Sequence, residues 1–101
     1  MINVSTHAHK RIKKRMGHLP DRVADMAKER GIKHTDLTGS IRRYVDKLRA
    51  EGNIREAYVY NNQTFLIGGR VDKPVLVTVI PLPARYQRDV QKIKEALNDK
   101  D

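Results

Sequence analysis

Residues 54–80 read IREAYVYNNQTFLIGGRVDKPVLVTVI, and their pattern decides the fold. Three short runs rich in β-branched and aromatic residues, 54–60, 64–68 and 74–80, are separated by Asn61 with Asn62 and by Gly68 with Gly69. Asn and Gly tolerate the positive φ that tight hairpin turns demand, so the stretch predicts a three-stranded antiparallel meander. Pro81 and Pro83 end the last run, because proline has no N–H to give to a ladder.

On either side of this stretch the apolar period lengthens from two residues to between three and four. Leu37, Ile41, Tyr44, Val45 and Leu48 line one face of a helix over 36–51, capped by Thr35 or Asp36 and closed by Gly52. That face is expected against the meander, on Val75, Val77 and Val79. Gly39, early in this helix, costs about 1 kcal/mol relative to Ala, which predicts close approach by another backbone or by a phosphate. Before it, Pro20, Val23, Met26 and Ala27 mark a shorter helix that stops at Gly31 and leads into a loop over 32–35. First in the chain comes a helix over 7–16, capped by Ser5 or Thr6, with Ala8, Ile12 and Met16 as its apolar stripe and Gly17 at its end. After the meander, Tyr86, Val90, Ile93 and Leu97 mark a terminal helix that packs back onto the sheet. The sum is an α+β fold: N-terminal helices packed on a three- to four-stranded antiparallel sheet, with a C-terminal helix. At 101 residues the chain is expected to form a single domain over 1–101, since so short a chain does not divide its core.

Composition narrows the function classes. The chain has no cysteine, which excludes disulfides, thiolate metal sites and thiol nucleophiles, and no run is apolar enough for a signal peptide or a membrane span. A reducing, cytoplasmic location is the expectation. The net charge of +9 is uneven: residues 1–50 hold 13 Lys and Arg against 5 Asp and Glu, whereas residues 51–101 hold 8 against 7. A basic field so concentrated attracts a polyanion, and counterion release makes nucleic acid the usual partner. The first helix is the densest part, with Lys10, Arg11, Lys13, Lys14 and Arg15 inside six positions and no carboxylate to neutralise them. On the third helix Arg42, Arg43, Lys47 and Arg49 face outward, Arg42 within reach of Asp46 and Lys47 of Glu51.

Neither metal nor nucleotide cofactor is expected. His7, His9, His18 and His34 lack an Asp or Glu at metal-ligand spacing, and the paired glycines at 68 and 69 match no phosphate-binding loop.

Three segments in order, HAHKRIKKRMG (7–17), GIKHTDLTGSIRRYVDKL (31–48) and VLVTVIPLPARYQR (75–88), resemble a family of small phage and prophage proteins grouped with the barnase, EndoU, colicin and RelE-like nuclease superfamily. The resemblance implies helices ahead of an antiparallel sheet that cradles RNA, and metal-independent cleavage through an activated 2'-hydroxyl. It points to His7, Arg11, His34, Arg42, Tyr44 and Thr78: a histidine as base, Arg11 as phosphate clamp, Thr78 orienting the phosphate. The family pattern has Lys or Arg where this chain has His9, so either His7 or His9 is the candidate base. Lys10, Lys14, Arg15, Arg42, Arg43 and Lys47 are the expected nucleic-acid contacts, with RNA favoured over DNA.

Two other readings stand beside it. VADMAKERGI (23–32), TDLTGSIRRYVDKLRAEGNI (35–54) and EAYVYNNQTFLIGG (56–69) follow the order of a winged helix-turn-helix, in which Ser40, Arg43 and Lys47 would read a major groove and the Asn61 turn would be the wing. The third is a phage-encoded inhibitor whose partner is a protein of a host nucleic-acid machine. The sequence leaves the oligomeric state open.

Overall fold

The meander is the centre of a five-stranded sheet. The computed structural model describes residues 2–16 and 20–98; the side chains of Arg15, Met16, Pro20 and Asp21 lie outside that description, as do His18 and the expected helix stop at Gly17. In chain order the elements are β1 (Asn3–Val4), α1 (Thr6–Met16), α2 (Pro20–Arg30), β2 (Ile32–Lys33), a 3-10 turn (His34–Asp36), α3 (Gly39–Gly52), β3 (Glu56–Tyr60), β4 (Gln63–Arg70), β5 (Lys73–Pro81) and α4 (Ala84–Asn98). The strand order is β1-β5-β4-β3-β2. β1 lies parallel to β5 and the other pairs are antiparallel. The fold is α+β, and its two extra strands are edge pieces of two residues each, too short to carry a period.

Helices cover both faces. On one, Ala8 and Ile12 of α1 and Val23, Ala24 and Ala27 of α2 bury against Tyr58, Phe65, Ile67, Leu76 and Val79. On the other, Leu37, Ile41 and Val45 bury against Ala57, Val59 and Leu66, with Tyr86, Val90, Ile93 and Leu97 of α4 packed on the outside. Tyr44 and Tyr86 bring α3 and α4 together, ring centroids 4.9 Å apart.

The α3 stripe is therefore buried as expected, but not on Val75, Val77 and Val79. Leu66 pairs with Thr78 and Ile67 with Leu76, so β5 carries one extra residue at Val77. Such a bulge reverses which face the following residues take. Val79 accordingly lies under α1, and Val77 is left 38% exposed.

Four local expectations are also corrected. The segment expected as a loop over 32–35 contains β2 and the start of the 3-10 turn. That turn takes up Thr35 and Asp36, so α3 begins at Gly39 with Thr38 at its cap. Gly39 has φ +69°, and nothing lies within 4 Å of where its Cβ would stand; backbone conformation, not close approach, calls for glycine there. The β4–β5 turn falls beyond Gly68 and Gly69, which belong to β4 itself. Asn61 and Asn62 do form the β3–β4 turn, with φ of 54° and 59°, the pair of positive values a two-residue hairpin loop requires.

Candidate nucleic-acid interface

α1 is placed by its buried stripe and by two bonds to β5. Ala8 and Ile12 are fully buried, which turns the helix's other side to solvent. Ser5 is the cap: its Oγ accepts the Ala8 N–H at 3.1 Å and donates to the Val77 carbonyl at 2.9 Å. Arg11 Nη1 donates to the Val79 carbonyl at 3.3 Å. These two bonds satisfy carbonyls of β5 beyond the short stretch that β1 pairs, and a cation at a strand edge discourages further strands.

His7, Lys10, Arg11 and Lys14, spaced i, i+3, i+4 and i+7, border one shallow depression of about 270 Å³. Lys10, Lys13 and Lys14 are exposed, and among the described residues none of them forms an ion pair. Arg11 is half-buried and partly committed to Val79. His9 is exposed, but at i+2 from His7 it points away from that line. The side chain of Arg15 lies outside the described residues.

The remaining candidates do not join this site. Thr78 pairs with Leu66, a residue of the α3 side, so the sheet separates it from His7; its Oγ1 is buried and has no hydrogen-bond partner among the described residues. His34 is buried, and its Nδ1 accepts the Ala57 N–H at 3.3 Å. Burial, and then the Arg49 charge, push its pKa below the ordinary value, so it is a neutral internal bond acceptor.

Arg42 is occupied by the fold. It bonds Asp46 Oδ2 at 3.2 Å, the Thr35 carbonyl at 3.2 Å and the Leu37 carbonyl at 3.3 Å, tying the 3-10 turn to α3. Burial alone would raise the Asp46 pKa, but the bonds from Arg42 and Arg49 outweigh it and hold the carboxyl below its usual range. Arg43 is exposed and bonds Ser40 Oγ at 3.3 Å; Lys47 lies 4.0 Å from Glu51 in an exposed pair. Tyr44 is engaged with Tyr86, and burial raises its pKa. Because α1 and α3 lie on opposite faces of the sheet, their cations form two separate surfaces. For the same reason α2 and α3 are not the adjoining pair of a helix-turn-helix.

A second depression, of about 520 Å³, opens between α2, the β3–β4 turn and α4. Its cations, Arg30 and Lys94, stand far apart in the sequence, and no motif announces them.

Comparison of the chain with family models, curated proteins and solved structures finds no match. The nuclease resemblance thus rests on the three sequence segments.

Proposed function

We propose that the protein binds nucleic acid, RNA in preference to DNA, by laying the phosphate backbone along α1. One observation carries this reading: His7, Lys10, Arg11 and Lys14 border a common depression on a helix that holds no carboxylate. Lysine and arginine on phosphate position a strand without reading its bases, so binding should be largely sequence-independent. The test is fluorescence anisotropy with labelled RNA and duplex DNA across a salt series. Affinity should fall linearly in log–log form, and Lys10→Gln with Lys14→Gln should weaken binding alike for all sequences while flattening the slope by about 0.7–0.9 for each phosphate that is no longer neutralised. Binding insensitive to salt, or unchanged in that double variant, defeats the proposal.

His7 beside Lys10 and Arg11 supports a second reading, metal-independent RNA cleavage. A positioned base contributes about 100- to 10,000-fold. Cleavage in EDTA that leaves 2',3'-cyclic phosphate ends, and that His7→Gln lowers by that order with binding intact, is the expected result; cleavage that survives loss of both His7 and His9 defeats it.

A further inference from the structure

We infer that the groove between α2, the β3–β4 turn and α4 is a nucleotide pocket, which holds one unstacked unit of a single-stranded nucleic acid by its phosphate and by its base edge. This rests on the nucleic-acid reading above and adds to it a second contact point on the molecule.

The groove has what α1 lacks. Its volume of about 520 Å³ falls within the roughly 300–1,000 Å³ typical of small-ligand sites. Its apolar part is formed by half-buried Tyr60 of β3 and Val90 of α4, with Ile32 and Val59 almost wholly buried beside them, and a flat ring can lie on the two half-buried side chains. Arg30, the last residue of α2, and Lys94 of α4 are both exposed. Among the described residues neither forms a hydrogen bond or ion pair, and no carboxylate borders the groove. Two unpaired cations facing one cavity suit a phosphate.

The same groove is lined by neutral amides. Asn61 and Asn62 are exposed on a turn held in place by the Leu82 N–H, which donates to the Asn62 carbonyl at 2.9 Å. Each side-chain amide presents a donor and an acceptor together, the combination that matches the edge of a base. Gln91 donates to Glu95 at 3.3 Å, which draws that carboxylate along α4 and leaves the Gln91 carbonyl available. An acidic peptide would use the two cations and leave the amides and the apolar wall idle; a nucleotide uses all three. The unit must be unstacked, since a base held in a duplex cannot enter a concave site.

The test is calorimetric titration of the full chain with UMP, AMP and inorganic phosphate. A nucleotide should bind at least about fivefold tighter than phosphate. Arg30→Gln with Lys94→Gln should weaken both ligands about tenfold or more. Asn61→Gly with Asn62→Gly, which keeps a turn of positive φ, should weaken the nucleotide and leave phosphate unchanged. Lys10→Gln with Lys14→Gln should leave nucleotide binding intact while duplex binding falls. Equal affinity for nucleotide and phosphate, indifference to the Arg30 and Lys94 changes, or loss of nucleotide binding in the α1 variant each overturns the pocket. Duplex binding that survives the α1 changes overturns the proposed function alone.

Discussion

Ala57 donates its backbone N–H to Nδ1 of His34 across 3.3 Å, fastening the turn before α3 to the first strand of the meander. The bond requires an unprotonated Nδ1. With its pKa lowered from 6.5 in the fold, His34 binds fewer protons folded than unfolded wherever the pH lies between the two values. Its contribution to stability is therefore complete above about pH 6.5 and declines as the pH falls below that. Melting temperature should be level from pH 8 to 7 and drop as the pH falls below about 6.5, and His34→Gln should flatten the drop. The Asp46 carboxyl, also lowered, loses its contribution only as the pH falls through and below about 4, a separate window. An undiminished slope in the His34 variant would refute this role.

Ile41 and Val77 should respond very differently to truncation. Ile41 is fully enclosed between α3 and the sheet, whereas Val77 is the partly exposed bulge residue. Ile41→Ala should cost about 2–5 kcal/mol in urea unfolding and Val77→Ala less than about 1 kcal/mol. Similar costs would contradict the register of β5.

Arg42 and the α1 lysines should separate stability from binding. Arg42→Ala removes three bonds at the turn before α3 and should lower stability by about 1–2 kcal/mol, with RNA affinity unchanged at a temperature where the variant is folded. Lys10→Gln with Lys14→Gln should do the reverse. Charge reversal at Arg43 and Lys47 should leave the salt slope of α1 binding almost unmoved, because those residues occupy the far side of the sheet.

Gly39→Ala should destabilise by about 1 kcal/mol although its Cβ meets nothing, since the cost comes from φ +69° alone. A neutral effect would mean that α3 can start in another conformation.

The parts that follow a local rule were legible in the sequence. The period-four stripes of α1 and α3, the asparagine turn, the terminal helix and the cation line of α1 need only neighbours within one element, and each was readable. The bulge at Val77 was not, since one extra residue leaves no mark in a run of valines and reverses the face of everything after it; Thr78 thereby landed away from His7. β1 and β2 are too short for any period. His34 stands among the candidate catalytic residues because a sequence shows a histidine but not the Ala57 N–H that it accepts. Arg30 and Lys94 come to line one groove only once α2 and α4 are both in place on the sheet.

Because β1 pairs with β5, and Ser5 and Arg11 hold carbonyls of Val77 and Val79, α1 leaves the ribosome well ahead of the strand that seats it. Until Lys73–Pro81 has been made and paired, α1 has no strand to rest on, and its cations belong to an unanchored stretch of nascent chain. A truncated product ending before β5 would carry the full basic charge of residues 1–50 without the surface that organises it. The ordered basic face of α1 is thus a late product of synthesis, although its residues are joined before those of every other helix described.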